Sequence, residues 1–448
     1  MEEILAEIQA ELKEQHWDRV KALLRPMNPV DVAGIISEFP APERALLFRL
    51  LDKDHAVAVF EYLPVEDQQA LLESFKTEQV RHLVENMSPD DRADLLDELP
   101  AKVAKRLLSL LTPEERQATL LLLGYKEDTA GGIMTPEYID LKGSYTAAEA
   151  LERIRRVGLD KETIYYCYVK DEQRRLQGIV SLRQLVLADP STRVADIMER
   201  EVIYAVTDED QEEVARKMQK YDLLALPVVD REHRLVGIVT HDDILDILQE
   251  EATEDIYRLG AVQVPEQNYF KTGIVTLARN RVGWLLLLLV ANTVTGSLIL
   301  RQSQLLESVI ALTAFIPLLI GSGGNIGSQT STVFVRGLAL QEVTRKNALT
   351  LILREVSTGL LLGCLLATLV TGWAYWLQGN GWVALTVGLS LVAISTFATL
   401  AGSVWPLVFH KFGLDPALIS APLITTLVDI LGVFIYLQVA RLILSWVL

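Results

Sequence analysis

Between Val356 and Phe409 the chain runs for 54 residues without a charged side chain. A helix needs about 20 apolar residues to cross a bilayer, so this stretch has room for two crossings joined at the Gln378-Gly-Asn-Gly turn. Val282 to Leu300 is a further uncharged run, and Ser308 to Val335 is another, interrupted in its apolar character by GSGGNIGSQ at 321 to 329. The last stretch, Pro416 to Leu448, holds only Asp429 and Arg441. The pattern predicts five spanning helices, an all-α membrane unit. Of the 42 Lys/Arg and 59 Asp/Glu in the chain, only 7 and 5 lie in residues 283–448. The first 282 residues therefore carry 35 basic and 54 acidic side chains, a formal charge of −19. Such a surface repels a phosphate backbone, which excludes a nucleic-acid partner, and it attracts cations.

Orientation follows from the positive-inside rule. With the N-terminus inside, Arg279, Arg281, Arg336, Arg345, Lys346, Arg354 and Lys411 fall on the cytoplasmic face, and Arg301 and Arg441 face outward. The opening segment MEEILAEIQAELKEQ reads as an acidic amphipathic helix, without the basic and apolar regions of a signal peptide. Cys167 and Cys364 have no metal-ligand or disulfide spacing, which suits a reducing cytosol. The expectation is a multi-pass protein of the plasma (bacterial inner) membrane with cytoplasmic N-terminal domains.

Four segments are expected. Residues 1–129 read as a stack of short helices, an acidic superhelical domain in which Phe39-Pro40, Leu63-Pro64 and Leu99-Pro100 each close an amphipathic helix. Ser88-Pro-Asp-Asp opens one helix with a Ser N-cap, Pro at the first helical position and acids at the positive end of the dipole. In residues 130–250 an α/β pattern occurs twice: Ile133-Met recurs as Ile197-Met, and Leu176-Gln-Gly-Ile-Val-Ser181 recurs as Leu235-Val-Gly-Ile-Val-Thr240. The duplication resembles a tandem pair of CBS domains, a regulatory module that in other proteins often binds adenine nucleotides. Thr240-His-Asp-Asp243 matches that family's ribose and phosphate motif, so the resemblance implies an ATP site through Thr240 and Asp243; Ser181-Leu-Arg-Gln184 lacks the acid. Residues 251–282 form an acidic connecting helix whose run Gly260 and Pro265 interrupt, and residues 283–448 the transmembrane pore domain with its five helices.

Asp429 is the residue with most chemical consequence. A carboxylate deep in a spanning helix costs roughly 2.5 to 3.5 kcal/mol, so such groups face a water-filled path or a partner. The alternative is a carboxylate hydrogen-bonded to Thr425, one turn earlier, or to a neighbouring helix. The Gly-rich segment at 321 to 329 offers Asn325, Ser328 and Gln329 as oxygen donors toward a metal or its water, and equally permits a merely close helix crossing. Asp415-Pro416, at the mouth of the last span, reads more readily as an N-cap than as a ligand. Acids, amides and hydroxyls without His or Cys suit a hard ion, and few carboxylates per chain suit Mg2+, which keeps its water. In the soluble part Asp90 and Asp94 share a helix face, as do Asp242 and Asp246, with Asp243 beside them. Most such pairs are solvated faces; opposed across domains they would repel unless divalent ions bridged them.

Taken together, the acidic helical domain, the CBS pair, the acidic connecting helix and five spans, with Gly-Gly-Asn-Ile-Gly-Ser-Gln in the second and Pro-x6-Asp in the fifth, resemble the MgtE family of magnesium channels over essentially the whole chain. The resemblance implies a homodimer with one pore, an Asp429 that binds hydrated Mg2+, supporting pore positions at Asn325, Ala421 and Thr425, and closure by cytosolic Mg2+. It places the regulatory acids at Asp90, Asp94, Glu212, Asp222, Asp243, Asp246, Glu251, Glu254, Asp255 and Asp415. Two positions depart from the family's usual residues: Ala421 and Ser328 stand where Asn is common. A non-conducting, membrane-tethered sensor of divalent cations or nucleotides is the alternative. An enzyme is disfavoured, since the sequence contains no HExxH, GxSxG or intramembrane Asp dyad.

Overall fold

The computed structural model describes residues 2–263, 272–340, 342–344, 346–412, 414–415 and 421–444. The expected break at Pro265, the cytoplasmic Arg345 and the Pro416 start of the last span lie outside the described residues. The chain divides into two compact units, Met1–Gln249 and Glu250–Leu448.

The first unit begins with ten short helices: α1 (Glu2–Lys13), α2 (Trp17–Leu24), α3 (Pro29–Ser37), α4 (Ala41–Arg49), α5 (Lys53–Glu61), α6 (Val65–Ser74), α7 (Thr77–Asn86), α8 (Pro89–Glu98), α9 (Ala101–Leu110) and α10 (Pro113–Leu122). Proline sets their length. Pro40, Pro64 and Pro100 occupy N-cap positions of α4, α6 and α9, so the residue before each is driven out of helical space and the preceding helix has already stopped. Helices two apart then pack on each other, α3 on α5, α4 on α6, α5 on α7 and α7 on α9, which makes the stack superhelical. Buried Arg92 ties its far end together: it donates to Val84 O and Thr119 Oγ1, each at 2.9 Å, and pairs with Glu115. One expectation needs correction. Ser88 precedes α8 as foreseen, but its hydroxyl donates to the Asp91 carboxylate at 2.6 Å instead of accepting a backbone N–H. That arrangement holds Asp91 at the positive end of the helix dipole.

The duplicated region forms two sheets of the same design. In the first, β1 (Ile139–Leu141) lies parallel to β2 (Tyr166–Lys170), which pairs antiparallel with β3 (Leu176–Ser181); in the second, β4 (Ala205–Val206), β5 (Ala225–Val229) and β6 (Leu235–Thr240) repeat the order. Even the register repeats, with Tyr166 opposite Ser181 and Ala225 opposite Thr240. The recurring Ile-Met pair has a packing reason. Met134 of the first copy lies on Gly237 of the second, and Met198 lies on Gly178 of the first, where a Cβ would stand within 2.6 to 2.8 Å of sulfur. Bridges between Thr135 and Ile238 and between Ile179 and Glu199 complete the exchange. Helices α11 (Ala147–Val157), α12 (Leu182–Leu187), α13 (Val194–Ile197) and α14 (Gln211–Lys220) flank the sheets, and α15 (His241–Leu259) follows β6 directly.

The second unit contains five helices long and apolar enough to span a membrane among the described residues. They are α16 (Ile274–Arg301), a helix that continues a 3-10 turn as α18 (Ile316–Ala339), α19 (Ala348–Gln378), α20 (Gly381–Lys411) and α21 (Ala421–Leu444), with the short α17 (Ser303–Ser308) between the first two. The turn foreseen at Gln378 is built from Gly379, whose φ of 63° closes α19, and Asn380, whose side chain accepts from the N–H of Trp382 at 3.0 Å to open α20. The Gly-rich segment breaks the apolar character of α18 without ending the helix, and Gly323, Gly324 and Gly327 are covered by α20 and α21. Most of the apolar surface of α16 is left uncovered within the chain.

Candidate functional site

Three glycines decide how α21 approaches α18. A Cβ on Gly323 would stand 3.0 Å from Val428, one on Gly327 would meet Val428 and Ile424 at 3.0 and 3.1 Å, and one on Gly324 would collide with Thr425. Only hydrogen at these Cα atoms permits so close a crossing. Along α21, Ala421, Thr425 and Asp429 follow at four-residue spacing, which places them on one face, and all three are half-buried. The Thr425 hydroxyl donates to Ala421 O at 2.5 Å, and Thr426 donates to Pro422 O at 2.9 Å. Thr425 is therefore satisfied along its own helix. Asp429 receives no hydrogen bond and no ion pair among the described residues, so the reading of a carboxylate held by Thr425 is set aside. Asn325, adjacent to Gly324, is exposed within one chain, as is Gln329, and Ser328 is half-buried.

The cytoplasmic acids fall into distinct groups. In the first unit Asp90 of α8 faces Asp243 of α15, with Asp91 and Glu162 nearby. Burial first and Asp243 second hold the Asp90 carboxyl well above the usual range, and its Oδ1 is buried without a hydrogen-bond partner. Loss of water, reinforced by Asp243 and Asp242, pushes Glu162 up to about 7. Asp243 is pushed up to about 6 mainly by burial, although it accepts from Thr240 Oγ1 at 2.5 Å. Glu61 of α5, pushed up to about 7 by burial and then by Asp91, accepts the backbone N–H of Ser88 at 3.2 Å. Asp242 and Asp246 both act on Tyr62, whose hydroxyl is raised chiefly by burial. An oxygen-only set of carboxylates, one with an orphaned oxygen, suits a hard divalent cation by its chemistry; among the described residues, however, only Glu11, Glu14 and His16 bring three ligand atoms within 4.8 Å of one another. Asp94 lies one turn from Asp90 and is exposed.

Glu61 and Glu162 were not singled out in the sequence, and Asp91 only as an acid that opens a helix. They come from an α5 terminus, a second position of α8 and a loop after α11, and no periodicity links them. Glu212 and Asp222, by contrast, lie on α14 and in the turn after it. Glu212 is engaged by Arg216, and neither acts on Asp90 among the described residues.

In the second unit Glu251, Glu254 and Asp255 share the last part of α15 and are half-buried. Arg258 pairs with both Glu254 and Asp415. Asp415 thus presents its carboxylate to a guanidinium; the N-cap reading of Asp415-Pro416 turns on residues 416–420, which lie outside the described residues.

Between the two sheets of the first unit lies a cleft of about 830 Å³ lined by Tyr165, Tyr166, Ser181, Arg183, Glu201 and Leu224, among others. It opens beside the Ser181 segment, the copy that lacks the acid. Thr240 is buried and does not line it.

Residues 316–439 match the family model of a divalent cation transporter, residues 27–128 that of an MgtE intracellular N domain, and residues 130–191 and 194–250 each match a CBS domain. The magnesium transporter MgtE of Thermus thermophilus is 44% identical over 99% of this chain and 100% of its own length. That of Bacillus subtilis is 36% identical over 94% and 93% respectively. Among solved structures, the cytosolic domain of the Mg2+ channel MgtE in complex with ATP shares 43% identity and a TM-score of 0.53, covering 54% of this chain and 99% of that one. The soluble part of a magnesium transporter gives 32% identity and a TM-score of 0.52, over 56% of this chain and 99% of that one.

Proposed function

This chain belongs to the MgtE family of divalent cation transporters and is a membrane protein that transports Mg2+ rather than an enzyme; from that premise we propose that two copies form one pore in the bacterial inner membrane, with Asp429 of each facing the ion path. The observation that carries this reading is the state of Asp429: half-buried, without a hydrogen-bond or ion-pair partner among the described residues, on the face shared with Ala421 and Thr425. A carboxylate in a spanning helix needs water or a cation. With so few acids at the site, the ion keeps much of its own water, which suits Mg2+. Ala421 offers only its carbonyl, already shared with Thr425, and Asn325 supplies an amide from the adjoining helix. Uptake of Mg2+ into liposomes, compared between the protein and Asp429→Asn, tests the assignment.

For regulation, the proposed division is an acidic sensor of residues 1–129, the CBS pair of 130–250, a connecting segment of 251–282 that holds the end of α15 and the start of α16 and is thus not one helix, and the pore of 283–448. Cytosolic Mg2+ screens carboxylates that otherwise repel one another. Asp90, Asp94, Asp243 and Asp246 would hold it between the helical domain and the CBS pair, Glu61, Asp91 and Glu162 add to the same negative field, and Glu212, Asp222, Glu251, Glu254, Asp255 and Asp415 are further regulatory ligands. Support comes from the raised carboxyls facing one another across α8 and α15. A cleft of the size seen beside Ser181 accommodates a nucleotide, and a relative's cytosolic domain was solved with ATP. In this chain ATP would use Arg183 against its phosphates rather than Thr240 and Asp243, which are bonded to each other.

A further inference from the structure

The last turn of α15 carries a cation among acids. Arg258 uses two different guanidinium nitrogens, one toward Glu254 on the preceding turn and one toward Asp415, 157 residues further along the chain. All three side chains are partly withdrawn from water, at 37%, 33% and 28% exposure for Arg258, Glu254 and Asp415. The arrangement is favourable on three counts. Glu lies N-terminal to Arg at four-residue spacing, a cation sits at the negative end of the helix dipole, and the planar fork can serve two carboxylates at once. Without that charge, Glu254 and Asp415 would face each other as like charges, which only a bound cation could offset.

We propose that Arg258 is a tethered cation that latches the connecting helix to the segment before the last span when no divalent ion is present, and that Mg2+ acts there by displacing it. This rests on the gating reading above and specifies one of its parts. A divalent ion carries twice the charge of the guanidinium, so the latch is the weaker of the two closures. It restrains the gate at low internal Mg2+ without sealing it. A basic side chain at this position thus has a role separate from the acids around it: it sets the flux that remains when the sensor is empty.

The test uses the full-length protein in liposomes whose lumen, on the cytoplasmic side of the protein, contains either a chelator or Mg2+. With chelator inside, Arg258→Gln should take up Mg2+ about two- to fivefold faster than the parent, the range expected for loss of a partly exposed ion pair. Arg258→Lys should fall between them, because it keeps the charge and loses the fork. The exchanged pair R258E/D415R should return toward the parental rate with chelator inside. With Mg2+ inside it should close less fully, having lost a ligand. Equal rates for the parent and Arg258→Gln, or an exchanged pair as fast as Arg258→Gln, would overturn the latch while leaving the gate intact. A parent that carries no Mg2+, or that is not slowed by luminal Mg2+, would remove the gating reading and the latch with it.

Discussion

Gly324 of α18 lies directly against Asp429 of α21: a Cβ built on the glycine would stand 3.5 Å from Asp429 Oδ1. The Gly-rich segment and the intramembrane acid, 105 residues apart in sequence, are thus two sides of one contact. A methyl there would sit in ordinary contact with Asp429 but would collide with Thr425 Cγ2 on the same face, and so should force α18 and α21 apart. Gly324→Ala is expected to lower stability by about 1 to 3 kcal/mol, the usual range for overpacking, and to reduce Mg2+ uptake. Gly321→Ala is the control, since nothing lies within 4 Å of a Cβ at that position. Thermal denaturation and uptake measured on both variants check this, and equal behaviour of the two would contradict the contact.

The sensor acids make a second prediction. Neutralising Asp90, Asp94, Asp243 and Asp246 together, each to Asn, should leave uptake running at luminal Mg2+ concentrations that close the parent. Glu61→Gln and Glu162→Gln should each shift the half-closing concentration upward by a smaller step, on the order of threefold, as expected for a partly screened charge. Closure of the quadruple variant at the parental concentration is the contrary result.

A third prediction concerns pH. Glu61 and Glu162 are pushed up to about 7 from an ordinary 4.5, and Asp243 up to about 6 from 3.8. Groups raised in this way bind protons on folding. Their stabilising contribution is complete below the ordinary carboxylate range and is lost as pH rises through 6 to 7. In chelator, hydrogen exchange in α8 and the start of α15 should therefore quicken as pH is raised from 5 to 7.5, after correction for intrinsic rates. Millimolar Mg2+ should remove most of that dependence, because the ion replaces the proton between carboxylates. A flat profile in chelator would refute the crowding described for this cluster.

The nucleotide cleft gives a fourth. Arg183→Ala should weaken ATP binding by about tenfold, equivalent to roughly 1.4 kcal/mol, and Thr240→Val should leave it nearly unchanged. Calorimetric titration of the full-length protein in detergent distinguishes these. A large loss with Thr240→Val alone would return the site to the second repeat.

Much of the architecture is legible in the chain because it depends on local rules. Uncharged runs set the five spans, Gly379 and Asn380 set the turn between two of them, and the X-Pro steps set the lengths of the N-terminal helices. The duplicated sheets are visible for the same reason, down to the Met134 and Met198 pair whose partners Gly237 and Gly178 also recur. Contacts made by folding are not visible in this way. Glu61 and Glu162 join the acids of α8 only because α5 and the loop after α11 pack beside it. Arg258 meets Asp415 across 157 residues, and no spacing rule announces that. Thr240 and Asp243 of the second repeat's motif are hydrogen-bonded to each other, and the cleft opens beside Arg183 of the first repeat, a placement that no motif announces. A motif specifies donors; their availability depends on what else the fold places within reach.

The most direct measurement is Mg2+ flux into liposomes carrying the parent or Asp429→Asn, each at matched protein density with chelator in the lumen. The two side chains are nearly the same size, so packing against Gly324 is preserved and only the charge is removed. Flux that falls to the level of empty liposomes in Asp429→Asn, with an unchanged melting temperature, is the expected outcome. Parental flux in that variant would show that the ion path does not pass Asp429.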